Sequence, residues 1–265
     1  MEAEVYSLVK TSIKRTLRID LENYKEEQMK RRLDSWLVRS HISSWKEYFS
    51  TLPNDEKELE RFRNYLTINV TEFFRDPNRW EHVRSEVLPY LIQNSADHHF
   101  SGGLKLWSAG CSIGVEAFTL AMLMEESAPK QPYSILATDL DRGALLKARA
   151  RGPYTPEDIR NLSPVQRQQY ITPSAPFHVT EKLQKNIRFQ EQNLLEDHFE
   201  GDFDLIVCRN VVIYFTTESK DVLYAKFSKA LRPGGVLFVG GTEIISGPAK
   251  FGLQNFGISF YKKAG

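Results

Sequence analysis

The chain has 265 residues, 41% of them apolar, and its 35 lysines and arginines almost balance its 34 aspartates and glutamates. A chain of this length buries a full-sized core, and two compact units fit it better than one. The near-neutral charge argues against nucleic-acid binding through phosphates, and the sequence has neither a long apolar run nor a signal peptide, so we expect no membrane insertion.

The N-terminal part of the chain shows only helical patterns. Helical periodicity covers residues 4–18, 24–38, 45–49 and 59–68. The first of these segments has an apolar face and an opposite basic face. The apolar face consists of Val5, Leu8, Val9, Ile13 and Leu17, and the basic face of Lys10, Lys14 and Arg18. We therefore predict an all-helical N-terminal domain over residues 1–75.

A further helix and a linker are predicted over residues 76–103. Asp76 supplies an N-cap and Pro77 a first-turn proline. The apolar positions that follow share one helical face, namely Trp80, Val83, Val87 and Leu91. The polar stretch 94–103 is interpreted as the linker to a second domain.

The period changes from residue 104 onwards, where strand and helix patterns alternate up to the C-terminus. Strands are predicted at 104–109, 133–138, 203–208, 236–239 and 258–261, and helices at 115–124, 144–150 and 218–231. Such alternation is typical of an α/β fold with a mostly parallel sheet, here the domain 104–265. The segment 152–186 carries five of the twelve prolines and a capping box that begins at Ser163, and is interpreted as an inserted subdomain.

A glycine turn, Gly110-Cys111-Ser112-Ile113-Gly114, joins the first predicted strand directly to a helix. Its G-x-x-x-G spacing lacks the middle glycine that lets a pyrophosphate approach the backbone, which disfavours a dinucleotide. S-adenosylmethionine has no phosphates and is compatible with this turn. Asp139 ends the second strand, where a carboxylate can accept both ribose hydroxyls.

The same five residues also match G-x-S-x-G, which would make Ser112 the nucleophile of an α/β-hydrolase. That fold needs a histidine after its last strands, whereas the final histidine here, His198, precedes several of them. The order disfavours a hydrolase. Cys111 and Cys208 lack metal-ligand spacing, so we expect small buried thiols, a reducing compartment and no metal.

Several segments together resemble the chemotaxis receptor methyltransferases, the CheR family. The resemblance rests on Asn69–Arg75 (NVTEFFR), Trp107–Glu116 (WSAGCSIGVE), Ala137–Asp141 (ATDLD) and Cys208–Phe215 (CRNVVIYF). Gly241-Thr242-Glu243 is similar to a further family segment. The family's turn has paired glutamates followed by proline, whereas this chain has Val115-Glu116-Ala117, which leaves Glu116 alone in the acidic role.

The resemblance implies a class I methyltransferase Rossmann-like sheet, an all-helical N-terminal domain and a small β-rich inserted subdomain at about 153–187. It also implies methyl transfer from S-adenosylmethionine to glutamate side chains of bacterial chemoreceptors during adaptation, with S-adenosylhomocysteine as product. The expected location is the cytoplasm, with recruitment to membrane receptors.

The resemblance also assigns the site residues by motif position. The cofactor-binding residues are Asn69, Thr71, Arg75, Glu116, Asp139, Asn193, Leu194, Asn210 and Val211. Asn193 and Leu194 would flank the adenine, and Asn210 and Val211 would contact the methionine part. Arg75 and Tyr214 would lie beside the transferring methyl group. Tyr214 either orients the acceptor or rests its ring near the sulfonium, and both roles stay open.

Partners and alternatives follow from the same residues. The basic residues Lys10, Lys14, Arg18, Arg31 and Arg32 are candidates for docking on the acidic, helical cytoplasmic domain of a receptor. One alternative is a regulatory module that binds S-adenosylmethionine without turnover. Another is a methyltransferase for small molecules or nucleic acid, although residues 209–212 lack the Asn/Asp-Pro-Pro-aromatic motif of base amino methylation.

Overall fold

The structure is a computed structural model and describes residues 1–67, 71–95 and 103–265. The chain divides into two compact units. The helical unit comprises Met1–Asn69 together with Val211–Val222, and the sheet unit comprises Val70–Asn210 together with Leu223–Gly265. No helix within the described ranges combines the length and the apolarity that crossing a bilayer requires.

The helical unit is built on an aromatic core. Its helices are α1 (Ala3–Leu17), α2 (Glu26–Arg39), α3 (Trp45–Thr51) and α4 (Glu56–Thr67). Trp36 of α2 lies 5.2 Å from Phe62 of α4 between ring centroids, and the Trp36 indole donates to the Tyr48 hydroxyl at 3.2 Å. The predicted all-helical character of this region is confirmed.

The buried face of α1 is rotated from the predicted one. Val9, Ile13 and Leu17 are buried as expected, but Val5 and Leu8 are 38% and 42% exposed. Tyr6 is buried in their place. Its ring removes more apolar area from water than either aliphatic side chain, which favours turning this side of the helix inward.

The sheet unit follows the predicted strand and helix alternation. Its helices are α5 (Pro77–His82), α6 (Leu88–Ser95), α7 (Val115–Ser127), α8 (Arg142–Arg149), α9 (Pro164–Tyr170) and α10 (Glu181–Gln184), and α11 (Thr217–Ala230) begins in the helical unit's second segment. The strands are β1 (Leu104–Ala109), β2 (Tyr133–Asp139), β3 (Ile187–Glu191), β4 (Phe203–Cys208), β5 (Leu231–Val239), β6 (Leu253–Gly257) and β7 (Phe260–Lys263).

The seven strands form one sheet in the order β3-β2-β1-β4-β5-β7-β6. The neighbours from β3 to β5 pair in parallel, and β7 is antiparallel to both β5 and β6. Strand β4 is buried at every position because helices cover both faces of a parallel sheet. The predicted α/β fold class is confirmed. The last strand, β7, begins two residues later than predicted. Ile258, where the prediction began, is 70% exposed and lies in the β6–β7 turn.

The helix after Pro77 keeps its predicted face but not its predicted cap. Trp80, Val83, Val87 and Leu91 are all buried. A π-helical turn, Val83–Val87, separates α5 from α6. Pro89 is the second residue of α6, and its missing N–H cannot take part in regular α-helical bonding. Asp76 occupies the N-cap position without a side-chain capping bond, because its carboxylate pairs with Arg209 instead. The predicted linker lies mostly outside the described residues.

The inserted segment is less β-rich than the resemblance implied, and this detail of the expectation is corrected. Between residues 153 and 186 the structure has α9, α10 and two isolated bridges, Tyr154 with Phe177 and Ile171 with Val179. Pro153 and Pro176, which lack backbone donors, are next to the Tyr154–Phe177 bridge and limit its extension into a ladder. The predicted capping box is present, with Ser163 and Gln166 bonded reciprocally.

Candidate active site

The carboxyl ends of the parallel strands define the site in the sheet unit. The chain connects β1 to β2 and β3 on one side, whereas β4 and β5 lie on the other side of β1. The sequence order therefore reverses between β1 and β4, and ligands of open parallel sheets bind at the carboxyl end of such a switch point. The glycine turn follows β1 at this point, and Arg209 and Asn210 follow β4.

The glycine turn holds the carboxylate of Asp139. The amides of Gly110 and Cys111 donate to the Thr138 carbonyl at 2.8 and 2.9 Å, which docks the turn on the end of β2. The Ser112 amide donates to Asp139 Oδ2 at 2.7 Å, and the Asp141 amide donates to Oδ1 at 2.9 Å. Burial nevertheless raises the pKa of Asp139 to about 6, against the effect of these bonds.

Glu116 lies in the first turn of α7, directly after the glycine turn. Its Oε1 accepts a hydrogen bond from the Ser108 hydroxyl at 2.8 Å. Burial raises the pKa of this carboxyl to about 7, while the nearby positive charges of Arg209 and Arg75 act in the opposite direction. A further cation beside Glu116 would therefore stabilise its ionised form.

Arg209 is a buried cation at the centre of several carboxylates. One Nη donates to Asp76 Oδ2 at 2.5 Å, and the guanidinium carbon lies 4.8 Å from the Phe238 ring centroid. Burial lowers the pKa of Arg209, and the charges of Glu116, Asp76 and Glu243 oppose that shift. Without these carboxylates a buried guanidinium would be strongly unfavourable.

Glu243 fixes the main chain after β4. Its side chain is buried, and Oε2 accepts from the amides of Asn210 at 2.8 Å and Gly240 at 2.6 Å. Asn210 has a φ of 60°, a left-handed conformation that is unfavourable for most residues other than glycine. The carboxylate therefore stabilises a strained turn at the switch point.

Arg75 is carried on a turn that is anchored at several points. The neighbouring residues Phe74 and Asp76 both have positive φ, 49° and 59°. The Phe73 amide donates to the Asp158 carbonyl at 2.9 Å, and the Phe74 amide donates to Thr119 Oγ1 at 3.2 Å. Because non-glycine residues rarely adopt this conformation, the anchors determine the path of the chain through Arg75.

The other predicted contacts in the sheet unit lie at the same edge. Thr71 is half-buried at the start of the anchored turn. Asn193 and Leu194 follow β3, and Asn193 Oδ1 accepts from the Leu195 amide at 3.1 Å, so this side chain also organises its own loop. Asn210 follows β4. The structure thus brings Arg75, Glu116, Asp139 and Asn210 to the carboxyl edge of the sheet, and their binding roles stay predictions.

Several residues of the predicted site and docking face lie outside the sheet unit. Val211 and Tyr214 are part of the helical unit, where Val212–Tyr214 forms a 3-10 turn. Arg32, predicted on the docking face, is half-buried in the same unit with its guanidinium 4.3 Å from the Tyr65 ring centroid. Burial lowers the pKa of Arg32, against the effect of Tyr65 and Tyr214. Asn69 lies outside the described residues.

Sequence reasoning gave no role to Arg209 or Glu243, although both lie in segments that resemble family motifs. A charged residue directly after six buried strand positions was the available signal for Arg209. Both cysteines are buried and unpaired by disulfides, as predicted. No group of three His, Cys, Asp or Glu side chains is arranged for a metal ion among the described residues.

The donor set fits S-adenosylmethionine. Two half-buried carboxylates have raised pKa values, Asp139 at the end of β2 and Glu116 in the first turn of α7. The cofactor offers a sulfonium, an ammonium and two ribose hydroxyls to such groups. The glycine turn lacks the middle glycine of dinucleotide sites and is compatible with a cofactor that has no phosphates. The fold and the site define an S-adenosylmethionine-dependent methyltransferase.

The chain belongs to the CheR methyltransferase family. Residues 69–257 match the family profile described as CheR methyltransferase, SAM binding domain, and residues 4–67 match that described as CheR methyltransferase, all-alpha domain. S-adenosylmethionine is accordingly the cofactor, and the hydrolase interpretation of Ser112 is excluded.

Relatives match over nearly the whole chain. A "Chemotaxis protein methyltransferase" of Listeria monocytogenes is 44% identical over 95% of this chain and 94% of the relative. "Chemotaxis protein methyltransferase 1" of Pseudomonas aeruginosa is 31% identical over 91% of this chain and 90% of the relative. A "Chemotaxis protein methyltransferase" of Klebsiella aerogenes is 33% identical over 86% of this chain and 79% of the relative.

The raised pKa of Glu116 predicts that cofactor affinity depends on pH. If the ligand's cation requires the ionised carboxyl, the dissociation constant rises by up to about tenfold per pH unit below pH 7 and levels off above it. Binding below pH 7 then releases protons, which calorimetry in buffers of different ionisation enthalpy detects. Glu116→Gln is expected to weaken binding at pH 8 and to flatten the dependence, leaving a smaller step near pH 6 from Asp139. A flat profile for the unaltered protein would contradict this role.

Proposed function

We propose that this methyltransferase esterifies glutamate side chains of bacterial chemoreceptors and so serves adaptation in chemotaxis. The observation that carries the proposal is the match of more than nine-tenths of the chain to relatives named chemotaxis protein methyltransferase. The site chemistry supports it, because an acceptor carboxylate needs positive charge and alignment, and the described residues supply a cation on an anchored turn, Arg75.

The acceptor needs no general base. A glutamate side chain has an ordinary pKa of about 4.3, so it is already a nucleophilic carboxylate at neutral pH. When bound, S-adenosylmethionine supplies an electrophilic methyl group on a cationic sulfur. The protein's residues contribute by alignment, which is worth up to roughly 7–11 kcal/mol in well-oriented systems, and by excluding water.

Arg75 is proposed to orient the acceptor. A guanidinium can hold one carboxylate oxygen while the other stays in line with the methyl group. A pair that is too strong would stabilise the nucleophile and slow the attack, so a moderate, partly solvated contact suits catalysis. Arg75 is half-buried, which agrees with that requirement.

Tyr214 and the remaining motif residues keep the roles that the family resemblance gives them. Tyr214 orients the acceptor through its hydroxyl or stabilises the sulfonium through its ring. The two roles predict different consequences for Tyr214→Phe, which removes the hydroxyl and keeps the ring. A large loss of turnover in this variant would favour the hydroxyl role.

The basic face of the helical unit is proposed to dock on the receptor, which is reached in the cytoplasm beside the membrane. The structure reduces the charge available there, because Lys10 pairs with Glu22 and Lys14 with Asp20, each at 2.5 Å. Arg18 and Arg31 are exposed. We expect the exposed Arg31 to contribute more to the encounter with an acidic helix bundle than the paired lysines.

The test of the proposal is transfer of labelled methyl groups to receptor-containing membranes. Label on the receptor that mild alkali releases is expected, since glutamyl methyl esters are base-labile whereas methylated amines are not. Glu116→Gln serves as the matched protein with impaired cofactor binding. Cofactor binding without label on any chemoreceptor would instead support a sensor module or a different acceptor.

A further inference from the structure

The segment that carries Tyr214 is bound to a short turn near the N-terminus. Asn23–Lys25, which we term the latch, connects the 3-10 turn Leu21–Asn23 to α2. Tyr24 and Phe215 form an isolated antiparallel bridge. The Lys25 amide donates to the Tyr214 carbonyl at 2.9 Å, and the Thr216 amide donates to the Asn23 carbonyl at 3.0 Å. All of these residues belong to the helical unit.

Side chains reinforce this bridge on both sides of Tyr214. Lys25 Nζ donates to the Ile213 carbonyl at 2.9 Å. The Ser219 hydroxyl donates to Asn23 Oδ1 at 3.0 Å, in the first turn of α11. The Tyr24 and Phe215 rings meet edge-to-face with centroids 5.1 Å apart, and Phe215 is buried. The latch therefore contacts the residues before, at and after Tyr214.

The carbonyls that the latch engages would otherwise be held only weakly. Val212–Tyr214 is a short 3-10 turn, and at its end the Phe215 amide donates to the Val212 carbonyl. A short turn of this kind has poor hydrogen-bond geometry and little cooperative stability. The backbone direction at Tyr214, and with it the direction of the side chain, thus depends on Asn23 and Lys25.

We infer that Asn23 and Lys25 are positioning residues for methyl transfer, which act by fixing the main chain on both sides of Tyr214. This inference rests on the proposed function, in which Tyr214 lies beside the transferring methyl group. Alignment errors of about 1 Å cost about 100-fold in rate, so a loosened turn lowers turnover even where every reacting group is still present.

The first test compares substitutions at Lys25. Lys25→Met removes the bond to Ile213, and we expect kcat at saturating receptor to fall about tenfold, the equivalent of one charge-assisted hydrogen bond. Cofactor affinity and melting temperature should change far less. Lys25→Arg retains a donor and should restore most of kcat. Lys30→Met, five residues further along the chain in α2 and paired with Glu26, is the matched control and should keep kcat. A rise in receptor KM with unchanged kcat would assign Lys25 to docking and overturn the inference.

The second test asks whether the latch acts through Tyr214. In a Tyr214→Ala background, Lys25→Met should lower the residual kcat by less than about twofold, because the group that it positions is already absent. An undiminished tenfold loss in that background would contradict a positioning role. The same reasoning predicts that Asn23→Ala and Ser219→Ala are not additive, since each removes the same bond.

Hydrogen exchange tests the latch independently of the proposed function. Lys25→Met and Asn23→Ala should accelerate amide exchange in peptides that cover residues 211–219, and not in peptides that cover α3 or α4. Faster exchange is expected even if no receptor ester forms. In that case the proposed acceptor is wrong, but the latch still orders residues 211–219. Unchanged exchange at 211–219 would overturn the latch whatever the acceptor is.

Discussion

Arg209→Met is expected to lower the free energy of unfolding by about 3 kcal/mol. The substitution keeps most of the apolar contact with the Trp80 and Phe238 rings but removes the cation beside Asp76, Glu116 and Glu243. Asp76 is 54% exposed, so water screens its part of the pair, which places the loss at the low end of the range for buried pairs. Chemical denaturation of the cofactor-free protein measures the change.

The same substitution should also affect the site electrostatically. The positive charge of Arg209 lowers the pKa of Glu116, so its removal moves that pKa further above 7. More of Glu116 is then protonated at pH 7, and cofactor affinity falls. At pH 8.5 the carboxyl is again largely ionised, so raising the pH should recover part of the affinity.

Arg232→Met provides the matched control for this prediction. Arg232 is also buried and pairs with Asp204 through Nε at 2.5 Å, near the amino end of β4, at the opposite edge of the sheet from Glu116. We expect a comparable loss of stability with cofactor affinity unchanged at pH 7. Equal cofactor affinity in both variants would show that Arg209 is only a structural residue.

The strands and helices of the sheet unit could be predicted because their burial follows the sequence pattern closely. Strands β1 and β4 have the predicted bounds, since each is a short run of apolar residues between polar or glycine turns. Neither edge strand, β3 nor β6, was predicted. Both are largely exposed or partly exposed, and β3 includes two charged side chains. Edge strands bury less surface and so carry a weaker pattern.

The site could be predicted only where a residue acts through its own side chain at a motif position. Asp139 was predicted from its position at the end of the second strand, and Glu116 from its position in the family motif. Arg209 and Glu243 act on other residues, through buried charge and backbone hydrogen bonds, and no pattern of spacing indicates such partners. Similarly, the grouping of residues 211–222 with the helical unit depends on backbone bonds to Asn23 and Lys25, which any residue type could make.

Arg75→Ala is expected to lower kcat by about 100-fold or more, because the acceptor carboxylate loses the group that we propose to orient it. At pH 8.5, where Glu116 is largely ionised even without the charge of Arg75, the cofactor dissociation constant should change by less than about threefold. Arg75→Lys keeps the charge but not the planar fork, so a loss of intermediate size is expected. Initial rates at saturating receptor, together with calorimetry of cofactor binding, measure the two quantities.

Arg160→Ala is the matched control for Arg75. Arg160 pairs with Glu72 at 2.5 Å on the same anchored turn, but its side chain is 64% exposed. Exposed pairs contribute little, so kcat should stay within about threefold of the unaltered protein. A large loss in both variants would indicate that kcat depends on the shape of the turn. An equal loss of turnover and cofactor affinity in Arg75→Ala alone would assign Arg75 to the cofactor, and the orientation of the acceptor would then fall to Tyr214 or to another residue.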